Sequence, residues 1–333
     1  MEDFTDLIDL ASERVGGQAL FASDEFFAEK ENLLKPGRGV FIVDKYTDRG
    51  KWMDGWESRR KREPGYDWCL IRLGLPGEIR GVDIDTNHFL GNYPEFASVD
   101  AVAIDGNPSA EELQRAEWTR IVPVSKLQGG SQHLFPVTSD KRWTHLRLNI
   151  YPDGGVARFR VHGLVRPDVA KLKAAGTVDL AAVENGGVSV LANDMFFSHR
   201  NNLIMPGRAA NMGDGWETKR KRGPGNDWVV VRLGVPGNID RVEVDTNHFK
   251  GNFPESCSLE GCYIPDEVPP DFFANRNLEW QELLPRTKLA ADTRHYFEQE
   301  LRARGPFTHV RLSIYPDGGV SRLRLHGRPE GQA

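Results

Sequence analysis

Asp85-Thr86-Asn87-His88-Phe89-Leu90-Gly91-Asn92-Tyr93-Pro94-Glu95 returns 160 residues later as Asp245-Thr246-Asn247-His248-Phe249-Lys250-Gly251-Asn252-Phe253-Pro254-Glu255. Only Leu90/Lys250 and Tyr93/Phe253 differ. A repeat fixes architecture before any local pattern does, and this period is far too long for a solenoid. It marks a duplicated domain. Gly55-Trp56-Glu57 and the basic run Arg59-Arg60-Lys61-Arg62 recur 160 residues on as Gly215-Trp216-Glu217 and Lys219-Arg220-Lys221-Arg222. Asp9-Leu10-Ala11 and Pro36-Gly37-Arg38 match Asp179-Leu180-Ala181 and Pro206-Gly207-Arg208 at a spacing of 170. The first copy therefore carries ten extra residues, around 41–53. Ile150-Tyr151-Pro152-Asp153-Gly154-Gly155-Val156 matches Ile314-Tyr315-Pro316-Asp317-Gly318-Gly319-Val320 at 164, so the second copy gains four, near 265–277. The expected division is a first domain over 1–166, a linker over 167–176 and a second domain over 177–333.

Each half is long enough to bury its own core. A hydrophobic fraction of 39% and a charged fraction of 27% place the chain among soluble globular proteins. A net charge of −5 gives no reason to expect nucleic-acid or membrane binding. The basic runs are flanked by acidic residues and make a poor nucleic-acid footprint. No apolar run approaches membrane-spanning length, and 5–10 is too short and too acidic for a signal peptide. Cys69, Cys257 and Cys262 do not match between copies, which argues against a disulfide framework and for core fillers in a reducing cytoplasm.

The local pattern is strand-rich. Segments 68–73 and 228–233 read as strands stopped by Gly-x-Pro-Gly. Residues 79–88 alternate, with Val82, Ile84 and Thr86 on one side and Asp83, Asp85 and Asn87 on the other. Further strands are expected over 98–104, 119–124 and 133–137, a brief helix over 111–116, a helical turn beginning at 23–27, loops at 15–17 and 184–187, and one helical turn in the linker. The turn Pro152-Asp153-Gly154-Gly155 reads as closing a hairpin in which Tyr151 pairs with Val156. That register sets His145 opposite His162, and His309 opposite His326. Many short strands and little helix imply an all-β protein of two tandem jelly-roll β-sandwich domains.

The run Asp54-Gly55-Trp56-Glu57-x-x-Arg60, the two Asp-Thr-Asn-His-Phe-x-Gly-Asn segments and the Tyr-Pro-Asp-Gly-Gly-Val turns resemble the allantoicase family over nearly the whole chain. The resemblance implies a pair of jelly rolls similar to galactose-binding-like modules. It also implies hydrolysis of allantoate to ureidoglycolate and urea in purine and allantoin breakdown.

Residue roles follow from the substrate. Allantoate is an anion with two ureido groups on one carbon. Its carboxylate calls for a guanidinium, and its ureido groups call for carboxylates and amides. Releasing urea needs an acid for the departing nitrogen and a base, or a metal-bound hydroxide, for water. The catalytic candidates are Glu57, Asp85 and His88 with their partners Glu217, Asp245 and His248. The binding candidates are Trp56, Arg60, Arg62, Asn87 and Asn92, with Trp216, Arg220, Arg222, Asn247 and Asn252.

Each candidate has a structural alternative. The aspartates and asparagines could form a solvated strand face, and His88 falls on the apolar side by strict alternation. Trp56 could plug the sandwich end, and the basic runs could be solvated. The histidine pairs are an incomplete ligand set, so a divalent metal such as manganese stays open without assigned ligands. The rival functions are a non-catalytic tandem module binding a carbohydrate-like ligand and a ureidoglycolate-processing enzyme. Self-association is left open.

Overall fold

The computed structural model describes residues 4–274 and 278–331. The chain forms two compact units, Met1–Arg166 and Pro167–Ala333. In the first, the main strands are β1 (Gln18–Ala22), β2 (Asp67–Asp85), β3 (Phe96–Val102), β4 (Thr119–Lys126), β5 (Gln132–Pro136), β6 (Trp143–Tyr151) and β7 (Arg158–Val165). The 19-residue β2 belongs to two layers. Its N-terminal part pairs with β1 and β6, and β6 passes the sheet on to β3 and β4. Its C-terminal part pairs with β5 and β7. All these pairings are antiparallel, and the apolar residues of both layers (Ile71, Leu146 and Leu148; Val82, Ile84, Phe159 and Val161) are wholly buried. This is a jelly-roll β-sandwich.

The second unit repeats the plan. Its strands are β8 (Val188–Ala192), β9 (Asp227–Asp245), β10 (Ser256–Cys262), β11 (Gln281–Lys288), β12 (Arg294–Phe297), β13 (Phe307–Tyr315) and β14 (Arg322–Pro329). Here β9 pairs with β8 and β13 at one end and with β12 and β14 at the other.

Gly-x-Pro-Gly does not stop the strand, as the sequence led us to expect. Gly74-Leu75-Pro76-Gly77 lies inside β2, where its pairing passes from one layer to the other. A Cβ on Gly74 would stand 2.3 Å from the Val15 carbonyl oxygen, and one on Gly77 2.3 Å from that of Leu164. Glycine is needed for this close approach, and proline, which lacks an N–H, falls where the ladder is broken.

The expected hairpin is also corrected. β6 and β7 flank β2 in different layers, so the Pro152-Asp153-Gly154-Gly155 turn crosses between sheets. Tyr151 faces Phe96, and Val156 faces Trp56. His145 lies opposite Arg72 and Val102, whereas His162 lies opposite Gly81. His309 and His326 are separated in the same way. The histidine pairs do not form, because alternation looks the same in a hairpin arm and in a strand paired with a third one.

Smaller elements differ in detail. Residues 23–27 are not helical, because the Asp24 carboxylate takes the Phe26 N–H at 3.1 Å and holds an Asx turn. The loops at 15–17 and 184–187 end single 3-10 turns on left-handed Gly16 and Gly186. Helix α1 (Ala110–Arg115) starts at a Ser109/Glu112 capping box, and the expected linker contains helix α2 (Val169–Ala174), capped by Asp168. Of the segment with the four extra residues, Asn275, Arg276 and Asn277 lie outside the described residues. All three cysteines are buried and free, and burial pushes the Cys257 and Cys262 thiols up to about 12.

The buried His309 sets a pH dependence. Its Nδ1 meets Thr308 Oγ1 at 2.9 Å, and the Phe273 ring lies 4.5 Å away. Burial, with the nearby Arg232 charge, lowers its pKa to about 4. An unfolded histidine takes up a proton near pH 6.5, which the folded one refuses until about 4. Stability of the second unit should therefore fall as pH drops across this window, by about 1.4 kcal/mol per unit. Urea denaturation at pH 7 and pH 4.5 should show the loss, and His309→Gln should flatten that part of the profile.

Candidate active site

The site is built where β2 leaves the sandwich. Alternation puts Asp83 and Asp85 on one face, yet they are only 5% and 1% exposed, so this is no solvated surface. The loop around 36–40 covers them. Arg38 grips Asp85 through both carboxylate oxygens: Nε donates to Oδ2 and Nη2 to Oδ1, each at 3.0 Å. The Asn87 N–H adds a bond to Asp85 Oδ1 at 2.9 Å, and its amide donates to the Gly39 carbonyl at 2.9 Å. Gln132 donates to Asp83 at 2.7 Å, but burial still pushes the Asp83 carboxyl up.

A buried ion pair holds the covering loop. Arg158 donates to Asp54 Oδ2 at 2.7 Å and to the Gly37 carbonyl at 3.2 Å, while Asp54 Oδ2 also accepts the Val40 N–H at 2.9 Å. Burial opposes ionisation of Asp54, but Arg158 and the Val40 N–H hold its carboxyl below the usual range.

The strand ends at Asp85, where Thr86 turns into the neighbouring loop: its Oγ1 donates to the Gln128 carbonyl at 2.5 Å and accepts the Ser131 N–H at 3.1 Å, and its N–H donates to the Ser131 carbonyl at 2.9 Å. His88 then adopts a left-handed φ of 68°. The alternation that assigned it to the core is broken, and Phe89 is buried instead. A Cβ on Gly155 would come within 2.0 Å of the Phe89 ring, so glycine is required there. The His88 ring is half-buried and stacks on Phe41 at 5.5 Å. Phe41 comes from the ten-residue insertion, which the second copy lacks.

Glu57 sits on the two-residue strand Trp56–Glu57, paired with Gly155–Val156. Its Oε1 accepts from the Asn92 amide at 2.7 Å, and burial raises its pKa against that bond. Glu217 and Asn252 repeat the contact at 2.5 Å. The remaining binding candidates differ in their surroundings. Trp56 and Trp216 are wholly buried, with their indole N–H groups donating to the Asp24 and Asp194 carbonyls at 2.8 Å, which leaves no ring face for a ligand. Arg60, Arg62, Arg220 and Arg222 are exposed and form no hydrogen bond or ion pair among the described residues. Their neighbours Arg59 and Lys61 are tied instead to Asp24 and Asp67.

In the second half Asn247 N–H donates to Asp245 Oδ1 at 2.9 Å, and Arg208 Nε lies 3.5 Å from Oδ2. His248 is again left-handed, at φ 71°. Its Nε2 bonds the Ala209 carbonyl at 2.9 Å. A carbonyl only accepts, so Nε2 donates this bond, and Nδ1 bonds to no described residue. Arg38 and Arg208, overlooked among the sequence candidates, were visible in the repeated Pro-Gly-Arg. Among the described residues no group of three or more His, Cys, Asp or Glu could hold a metal ion.

Known proteins share this plan. The family described as the allantoicase repeat matches residues 8–166 and 178–330. A probable allantoicase of Burkholderia mallei is 52% identical over 96% of this chain and 94% of its own. One of Photobacterium profundum is 50% identical over 98% and 97%. The crystal structure of allantoicase from Saccharomyces cerevisiae superposes with a TM-score of 0.78 at 38% identity, covering 96% of this chain and 92% of that one. A second allantoicase structure gives a TM-score of 0.80 at 37% identity, covering 97% and 93%.

Removing Asp54 should leave Arg158 buried without its counter-charge. Asp54→Ala is expected to lose about 3–5 kcal/mol in urea denaturation, whereas the double variant Asp54→Leu/Arg158→Met should lose much less.

Proposed function

Because the chain belongs to the allantoicase family, its reaction is hydrolysis of allantoate to ureidoglycolate and urea, and we propose that this takes place where Arg38 meets Asp85 and Glu57 meets Asn92. Arg208, Asp245, Glu217 and Asn252 would form the corresponding site in the second half. One observation carries the assignment. Arg38 is half exposed, yet it is held side-on by a carboxylate that is almost wholly buried. Asp85 engages Nε and Nη2, and Arg38 Nη1 donates to no described residue. The outer Nη1/Nη2 edge is thus free for a second carboxylate, that of the substrate. Asp85 is then a positioning residue, and Arg38 takes the role first expected of Arg60 or Arg62.

The remaining groups suit the chemistry. Water replaces one ureido group at the carbon bearing both: a C–O bond forms as one C–N bond breaks, a base takes the water proton, and the departing nitrogen takes a proton to leave as urea. Glu57, whose raised pKa favours the protonated form, is the proposed acid, and Asn92 orients it. His88 and the Nδ1 of His248 are the proposed bases. The Asn87 and Asn247 amide oxygens would accept ureido N–H groups, their amide nitrogens being used on the Gly39 and Ala209 carbonyls. A positioned acid or base contributes roughly 10²–10⁴-fold.

The carbohydrate-like binding alternative loses its aromatic platform with the burial of Trp56 and Trp216. Free buried cysteines accord with a cytoplasmic setting, and no helix among the described residues is long and apolar enough to cross a membrane. We take 1–166 and 177–333 as the two catalytic domains, joined by 167–176.

Urea release from allantoate tests the assignment. Glu57→Gln and Glu217→Gln should each silence one half, and together lower turnover by about 10²–10⁴-fold. Asp85→Asn and Asp245→Asn should each raise KM for their half. Undiminished activity in the combined Asp85→Asn/Asp245→Asn chain would remove these carboxylates from the machinery. The same assay with chelator, then with added manganese, decides whether side chains alone activate the water.

A further inference from the structure

The two halves treat the same carboxylate differently. Opposite Asp85 the neighbouring strand presents Gln132, whose amide is engaged by Asp83. Opposite Asp245 it presents Arg294. Arg208 Nε stands 3.5 Å from Asp245 Oδ2, and Arg294 Nε stands 4.0 Å from the same oxygen. That oxygen accepts no hydrogen bond from any described residue, although Asp245 is 1% exposed. Arg294 uses Nε on Glu243 at 2.8 Å, and Arg208 donates no hydrogen bond among the described residues. The terminal nitrogens of both guanidiniums donate to no described residue, the Arg294 guanidinium lies 5.8 Å from the Tyr296 ring centroid, and both side chains are about half exposed.

Two guanidiniums whose Nε atoms lie within 4.0 Å of one oxygen are close neighbours, and their Nε edges face the Asp245 and Glu243 carboxylates. An anion between their outer edges would accept hydrogen bonds from both. The first half has Arg38 alone beside Asp85, with Gln132 where the second half has Arg294. From this, and resting on the site assignment above, we propose that Arg208 and Arg294 together form a two-arginine subsite for the α-ureido carboxylate. Arg294 then makes the second half the tighter-binding of the two sites. Each carboxylate oxygen takes one guanidinium, where the first half supplies a single outer edge of Arg38.

The test isolates each half with the full chain. In a Glu57→Gln background, which leaves the second half working, Arg294→Gln should raise KM for allantoate about tenfold or more while kcat changes by less than about twofold. Arg294→Lys should recover part of the affinity. Inhibition by N-carbamoylglycine, which carries both a ureido group and a carboxylate, should weaken in parallel. Inhibition by methylurea, which lacks the carboxylate, should not. In a Glu217→Gln background, Gln132→Arg should lower KM for the first half. An unmoved KM in Arg294→Gln overturns the subsite, and so does an equal loss of both inhibitors, which marks general damage to the strand. If the Glu57→Gln/Glu217→Gln chain keeps full activity, the site assignment itself falls and the subsite with it. If that chain is inactive and only the Arg294 results fail, the site assignment stands alone.

Discussion

Each half depends on one strand that satisfies its backbone hydrogen bonds in two sheets. β2 carries 19 residues, about three times the length of an ordinary strand, and its ladder changes partners midway. A backbone group left unpaired inside the sandwich would cost as much as a lost hydrogen bond, so the change of partner falls at residues that tolerate it. Gly74 and Gly77 allow neighbouring carbonyls to approach where a Cβ would collide, and Pro76 has no N–H to strand. β9 repeats this with Gly234, Pro236 and Gly237. Because the strand runs through both layers, its last residues emerge at one end of the sandwich and present their carboxylates there.

That emergence sets the electrostatics of the site. Asp83 and Asp85 lie two residues apart on one face, almost wholly removed from water, and such charges persist only when paired. Asp85 has a bidentate arginine, and Asp83 has one amide and a raised pKa. The arginine comes from the 36–40 loop, which Arg158, Asp54 and Asn87 hold against the strand end. The loop is thus a structural cover that also supplies a guanidinium facing outward.

Duplication has let the two ends drift apart. The first half inserts Phe41 over His88, whereas the second ties His248 to Ala209. Asp292 accepts the His248 N–H at 2.7 Å from a left-handed position of its own. Gln132 in one half answers to Arg294 in the other. Such differences sit in side chains, loop lengths and a small extra ladder, Tyr46–Thr47 with Gly50–Lys51, in the first unit, while the order of the main strands stays the same. The Asp-Thr-Asn-His segment is near identical because it does local work in both halves. Aspartate bonds the asparagine N–H, threonine ties the turn to the next loop, and phenylalanine fills the end of the core.

The sequence by itself determined the duplication, the all-β class, and the polar set Asp85, Asn87, Glu57 and Asn92. Repetition and alternation are local properties, and one chain carrying two copies displays both. Only the tertiary structure decided that 68–73 and 79–85 are one strand and that the Tyr151 turn crosses between sheets. It also decided that the tryptophans are buried and that the arginine meeting Asp85 is Arg38, not Arg60 or Arg62. Alternation states which side of a strand is apolar, but not which strand lies beside it. A cluster of arginines states charge, but not which guanidinium meets a buried carboxylate. Those choices depend on contacts such as Arg38–Asp85, 47 residues apart, and Arg158–Asp54, 104 apart, which exist only once the sandwich has closed.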